Sequence, residues 1–193
     1  PKNSKGVVIT NIFNKSPLEG ILKIGNIILE VQKSQISANN LENKVFISTG
    51  YGRGCGLYTF DGKSLKEVYS NKSISNHMAN CVVIDKHLYG ISGNTHGAEK
   101  KELVCMEFET GKVKWKEGGF GCGTITAAAG KLIVLSERGE LAVGAASPKK
   151  FESLAREQVN RGRCWTVPVL SNGIIYTRNS SGNLVAVGVG KES

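Results

Sequence analysis

Apolar residues occur along this chain in short bursts divided by polar and Gly-rich turns, and four of the bursts keep step. They read Asn43-Lys44-Val45-Phe46-Ile47, Lys86-His87-Leu88-Tyr89-Gly90, Gly130-Lys131-Leu132-Ile133-Val134 and Gly173-Ile174-Ile175-Tyr176-Thr177. Aligned on Val45, Leu88, Leu132 and Ile175, they lie 43, 44 and 43 residues apart. Each is short and bounded by turn residues, which predicts a β-strand. A small or apolar run ending in a turn precedes three of them: Ala79-Asn80-Cys81-Val82-Val83-Ile84-Asp85, Thr124-Ile125-Thr126-Ala127-Ala128-Ala129-Gly130 and Thr166-Val167-Pro168-Val169-Leu170-Ser171-Asn172-Gly173. A further strand follows each, near Leu57, Leu103, Leu141 and Leu184, at looser steps of 46, 38 and 43 residues. Surface turns tolerate insertion and deletion, which accounts for the looseness. Each unit thus reads as strand, turn, strand, Gly-rich turn, strand and polar stretch.

A fixed period of about 40–45 residues built from short strands is the pattern of propeller blades. The expected fold is all-β: a partial or open β-propeller of about four repeats over residues 42–193. A blade cannot bury both faces alone, so its neighbours are part of its fold. The last unit ends at its second or third strand, so either the chain is a fragment of a longer one or something else covers the open edges. Exposed strand edges invite pairing, which makes protein partners or self-association a physical expectation.

Residues 1–41 break the period and read as a separate, short α+β module. An apolar strand, Gly6-Val7-Val8-Ile9-Thr10-Asn11, leads to Ser16-Pro17-Leu18-Glu19-Gly20. There Ser16 suits an N-cap and Pro17 the first position of a short helix. Lys23-Ile24-Gly25 forms a second turn, and Ile27-Ile28-Leu29-Glu30-Val31 a buried strand. This run resembles part of a PDZ domain of the HtrA-type class, with Asn26 where that family usually has Asp and without the family's later helix and closing strands. The resemblance implies that Gly6 and Val7 belong to a carboxylate-binding loop. It also implies that Val7, Val8, Ile9, Thr10 and Asn11 form the strand a ligand peptide extends, by β-augmentation. The other reading is that a truncated module has lost its groove wall and only packs on its neighbour. No Gly-x-Ser-Gly-Gly segment occurs, so protease activity does not carry over.

From about residue 42 to 190 the chain resembles the pyrroloquinoline-quinone-like β-propeller repeats. The most intact motif is Met106-Glu107-Phe108-Glu109-Thr110-Gly111-Lys112-Val113-Lys114-Trp115. It matches the family's strand, Thr-Gly turn and docking Trp, which assigns Thr110, Gly111 and Trp115 to blade docking. Gly111 stands where positive φ is wanted, and Trp115 would lie over the adjacent blade. Worn versions occur at Phe60-Asp61-Gly62-Lys63-Ser64, leading to Tyr69, and at Ser147-Pro148-Lys149-Lys150-Phe151; Trp165 is expected at the start of a strand. Quinone enzymes of this class carry adjacent cysteines and acidic metal ligands. This chain has no Cys-Cys pair, so no cofactor is expected.

Composition adds modest limits. The 193 residues include 24 glycines and four prolines, with 21% charged, which describes a folded, turn-rich, β-leaning protein. The net charge is +9, but the lysines are scattered, mostly through inter-strand turns, and not interleaved with aromatics. A basic solvated exterior is preferred to a nucleic-acid footprint. The cysteines, Cys55, Cys81, Cys105, Cys122 and Cys164, include no C-x-x-C, which removes the zinc-ribbon, haem and thioredoxin readings. Cys81 and Cys105 read as buried strand residues. Cys55, Cys122 and Cys164 either converge near a propeller axis or simply pack where strands crowd, and the second is preferred. No run is long and apolar enough to be a transmembrane helix. The chain opens with Pro1 rather than Met, so an upstream segment is expected.

No catalytic or metal site is expected. His77, His87 and His96 lack ligand spacing; Glu107 and Glu109 read as alternating outward on a strand; and the Gly50-Tyr51-Gly52-Arg53-Gly54-Cys55-Gly56 run lacks the helix a phosphate loop must open. The preferred function is a non-catalytic interaction scaffold, docking partners through the propeller surface and the PDZ-like strand, in a periplasmic or other extracytoplasmic compartment. The alternatives are a quinoprotein-like oxidoreductase and an outer-membrane-assembly type of propeller factor.

Overall fold

A computed structural model describes residues 7–8, 27–31, 44–61 and 63–189. They contain sixteen strands in four antiparallel sheets and no helix. The first sheet holds β1 (Val7–Val8), β2 (Ile27–Val31), β3 (Lys44–Thr49), β4 (Gly54–Phe60) and β5 (Leu65–Asn71). The second holds β6 (Val82–Ile84), β7 (His87–Ser92), β8 (Glu102–Glu107) and β9 (Val113–Glu117), and the third β10 (Thr124–Ala128), β11 (Lys131–Leu135), β12 (Glu140–Ala145) and β13 (Ser153–Gln158). The fourth holds β14 (Val169–Ser171), β15 (Ile174–Arg178) and β16 (Leu184–Gly188). Within each sheet the strands are ordered as they occur along the chain, each pairing with the next. The chain is an open β-propeller of about four blades.

The double-sided burial of the second and third strands explains both the period and the stacking. In β7 and β8, Leu88, Val104 and Met106 join Phe46, Leu57 and Cys55 of the first blade in one core cluster. The residues between them, Tyr89, Ile91, Leu103 and Cys105, join Leu132, Val134 and Ala142 of the third blade in another. Strand side chains alternate between faces, so a strand flanked by blades on both sides is apolar without interruption. The third blade repeats the arrangement with Ile133 and Leu141, which meet Ile175 of the fourth in a smaller cluster.

Local chemistry sets the turns. The hairpins joining first and second strands use Asp85-Lys86, Ala129-Gly130 and Asn172-Gly173, all six residues at positive φ. That is the type I′ geometry, whose twist matches that of the flanking strands. The third and fourth strands of three blades share a register shift, at Leu57/Tyr58, Cys105/Met106 and Val143/Gly144. In the alignment that places Val45 with Leu88 and Leu132, these three bulges fall on one position.

The turn after each second strand is tied to the connector that enters its blade. Gly93 N–H donates to Ser75 O (3.0 Å), Glu137 N–H to Phe120 O (2.8 Å) and Ser180 N–H to Arg163 O (2.8 Å). These main-chain ties recur at one position in three successive blades and build a rim of connectors and turns at one end of the sheets.

Four expectations change. The polar stretch ending each of the first three units is a fourth strand; β13 is exposed at all six positions, so no hydrophobic alternation marks it. Glu109 lies in the turn after β8, not on the strand, where it pairs with Lys44 of the first blade. Trp165 lies in the connector before β14, which begins only at Val169. Lys66, Lys114 and Lys116 stand on fourth strands rather than in turns.

Candidate functional site

A concavity lies on the rim between the third and fourth blades. It is a cavity of about 890 Å³ lined by Glu137, Arg138, Arg161, Gly162, Arg163 and Ser180. The Glu137-Arg138 turn joins β11 to β12, residues 161–163 belong to the connector from β13 to β14, and Ser180 lies in the turn after β15. A second cavity of about 340 Å³ adjoins it, sharing Glu137 and Arg138 and adding Lys101, Gly119, Phe120, Gly121 and Ser136.

The walls are held by main-chain and amide bonds. Cys164 N–H donates to Glu137 O (2.9 Å), and Val159 and Asn160 N–H both donate to Gly139 O (3.1 Å each). Asn179 Nδ2 donates to Arg161 O (2.8 Å) and Asn160 Nδ2 to Asn183 O (3.3 Å). Gly139, at φ 89°, packs against Asn160, and a Cβ there would stand 2.4 Å from the Asn160 carbonyl oxygen. The arginine-bearing backbone is therefore fixed, while Arg138, Arg161 and Arg163 themselves are exposed.

Glu137 has a structural assignment. Its Oε2 accepts from Cys122 N–H (3.0 Å) and its Oε1 from Trp165 Nε1 (3.2 Å). The Arg163 guanidinium stands over the Trp165 ring, 5.4 Å from its centroid, a cation–π arrangement. Among the described residues none of Arg138, Arg161, Arg163 and Lys101 takes part in an ion pair. The cavity wall carries an excess of positive charge with unused guanidinium donors.

Of the residues expected to dock blades, Gly111 and Trp115 lie at seams, while the bonds of Thr110 stay within its own blade. Thr110 Oγ1 donates to Glu107 Oε2 (2.8 Å) and accepts from Lys112 N–H (3.2 Å). Gly111 has φ 69°, and a Cβ there would come within 2.7 Å of the Tyr69 ring of the first blade. Trp115 Nε1 donates to Ser147 O of the third blade (2.8 Å), with its ring 6.4 Å from Phe151 and 6.0 Å from Tyr89. Tyr69 has the matching role at the preceding seam: its hydroxyl donates to Phe108 O (3.0 Å). Leu57 pairs with Tyr69, Cys105 with Trp115 and Val143 with Ala155, so the third blade has Ala155 where the first two have a docking aromatic.

Of the peptide-binding residues, Gly6, Ile9, Thr10 and Asn11 lie outside the described residues. Val7 and Val8 form β1, which pairs antiparallel with β2, and β2 pairs with β3. The described backbone of residues 27–31 thus stands in the first sheet where β6, β10 and β14 stand in the others.

The five cysteines are free and buried. Burial pushes the thiols of Cys105 and Cys122 up to about 11, and those of Cys55, Cys81 and Cys164 upward as well. A thiol that stays protonated is a poor nucleophile and a poor metal ligand. His77 serves the rim instead: Thr95 N–H donates to its Nδ1 (3.1 Å), and its Nε2 lies 3.1 Å from the Tyr51 hydroxyl. Among the described residues no group of three or more His, Cys, Asp or Glu is placed to hold a metal ion. No described helix is long and apolar enough to cross a membrane.

The arginines were not singled out by sequence. Arg138 and the Arg161-Gly162-Arg163 run are 23 residues apart, and only the stacking of blades joins them. The one local sign was two arginines about a glycine, close to Trp165.

No protein-family model matches the chain, and no curated protein matches it. Solved structures do. BamB from Moraxella catarrhalis aligns with a TM-score of 0.55 at 13% identity, over 83% of this chain and 43% of that one. The computationally designed Ika4 protein aligns at 0.54 and 14%, over 84% of this chain and 96% of that one. A chain of a nidogen/laminin complex aligns at 0.51 and 11%, over 76% and 56%. This chain therefore spans less than half the length of the BamB chain it matches. At such identities the likeness is one of fold, and the fold it shows is that of a β-propeller.

Proposed function

We propose that this chain is a non-catalytic interaction scaffold or assembly subunit that binds proteins through its propeller surface. The observation that carries the reading is the fourth blade. Its described strands leave Leu184 66% and Val169 57% exposed, with Val167, Leu170 and Val189 also exposed. Large apolar side chains gathered on one blade mark an interaction surface, and β16 is an unpaired sheet edge among the described residues. The docking role inferred for Gly6, Val7, Val8, Ile9, Thr10 and Asn11 belongs to the same proposal, as does placement in the periplasm or another extracytoplasmic compartment. A role of the outer-membrane-assembly type is its most specific form.

Light scattering on the purified chain tests the reading. The expected result is a species larger than 20.7 kDa, alone or with a cross-linked partner, that is lost in Val169→Glu/Leu184→Glu. A 20.7 kDa monomer at every concentration, with no cross-linked partner in extract of its source cells, refutes it.

A further inference from the structure

We infer that the two adjoining rim cavities form one cationic groove that takes an acidic peptide segment of a partner protein, its carboxylates held by Arg138, Arg161 and Arg163 with Lys101 at the far end. The inference rests on the scaffold reading in that its ligand is a protein.

Shape comes first. The cavities share Glu137 and Arg138 and hold about 890 and about 340 Å³. A single water occupies about 30 Å³ of liquid volume, so the groove admits several residues of extended chain rather than one small ion.

Charge comes next. Among the described residues four cations line the groove, and the one acid, Glu137, already accepts from Cys122 N–H and Trp165 Nε1. The guanidinium is a planar fork that matches a carboxylate two bonds at a time. Arg163 is placed for this: its guanidinium carbon stands 5.4 Å from the Trp165 ring centroid, and it takes part in no ion pair among the described residues, so its N–H donors are left for a ligand.

Rigidity favours binding further. The carbonyl groups of Arg161 and Arg163 are held by Asn179 Nδ2 and Ser180 N–H, so little backbone entropy is lost when a ligand arrives.

The aromatics separate a peptide from a nucleic acid. Single strands are held by bases stacking on exposed rings. Here Phe120 is 1% exposed, with the Arg156 guanidinium 5.0 Å from its centroid. Trp165 is half-buried, its N–H bonded to Glu137 and Arg163 over its face. The groove offers charge without a stacking platform, which suits carboxylates on a peptide.

Fluorescence anisotropy on the full chain is the test, with four probes: a short labelled peptide rich in Glu and Asp, the same peptide with Lys at the acidic positions, a labelled single-stranded oligonucleotide, and phosphatidylserine vesicles. The acidic peptide is expected to bind in a salt-sensitive manner. Arg161→Glu/Arg163→Glu is expected to weaken it at least about tenfold, as charge reversal in a complementary site does. Lys149→Glu/Lys150→Glu, in the turn between β12 and β13, should leave it unchanged. Circular dichroism of each variant confirms that the sheets persist. Absence of peptide binding, equal binding of the Lys peptide, equal loss in the lysine variant, or tighter binding of oligonucleotide or vesicles overturns the inference. If the peptide fails while the larger species of the scattering experiment remains, the groove alone is refuted; if both fail, the scaffold reading falls with it.

Discussion

Replacing Trp115 by alanine probes how far one blade depends on the next. Trp115 stands on the fourth strand of the second blade, yet its Nε1 donates to Ser147 O of the third, and its ring lies between Tyr89 and Phe151. A buried Trp removes about 150–250 Å² from water. This one is only partly buried, so about 100 Å² at about 25 cal/mol per Å² gives about 2.5 kcal/mol. The hydrogen bond adds about 1 kcal/mol. Trp115→Ala should therefore destabilise the chain by about 3.5 kcal/mol, and Trp115→Phe, which keeps a ring but loses the N–H, by about 1 kcal/mol. Urea titration followed by far-UV circular dichroism measures both, since blades coupled only to neighbours report a lost seam as a lower midpoint or a split transition. A cost below about 1 kcal/mol for Trp115→Ala would show that the seam is held by its aliphatic core alone, and the docking argument would fall.

Three further outcomes follow from the same packing. Gly111→Ala should lower the melting temperature by the equivalent of at least about 1 kcal/mol, because Gly111 sits at φ 69° and a Cβ would press on Tyr69 and Asn71; an unchanged melting curve refutes the close approach. Thr177→Val should raise the urea midpoint by the equivalent of about 1 kcal/mol, because the Thr177 hydroxyl is buried without a partner among the described residues; a lower midpoint would mean the hydroxyl is bonded. The raised thiols give a pH dependence. Cys105 and Cys122 rise from 9.0 to about 11 in the fold, so the unfolded chain ionises first and the stabilisation present below about pH 9 is lost as pH climbs towards 11. Denaturation midpoints across that window should fall, and the native thiols should react slowly with a disulfide reagent at pH 8. Fast labelling of all five without denaturant would contradict their burial.

Much of the architecture was legible because the second and third strands of a blade are covered on both sides. Leu88 and Tyr89 are neighbours in sequence and face opposite blades, so the apolar signal is continuous and its period survives. The fourth strands were hidden for the converse reason: Ser153 to Gln158 face water, and nothing in their polarity separates strand from loop. Tyr69 could be placed as a worn Trp because an aromatic still follows the Asp61-Gly62 turn, seven residues after the glycine where Trp115 stands four after Gly111, whereas Ala155 left no trace. The groove was illegible since its cations come from separate turns, each an ordinary Gly-flanked turn when read alone.

The repeated bonds from Gly93, Glu137 and Ser180 to their connectors use only amide and carbonyl atoms. Such atoms are common to every residue but proline, so at Glu137 and Ser180 the rim is secured by groups that substitution scarcely alters, while Gly93, at φ 118°, needs its glycine. Side chains displayed there can drift without unseating the strands beneath. A molecule assembled in this way can change what it recognises while its means of folding stay the same.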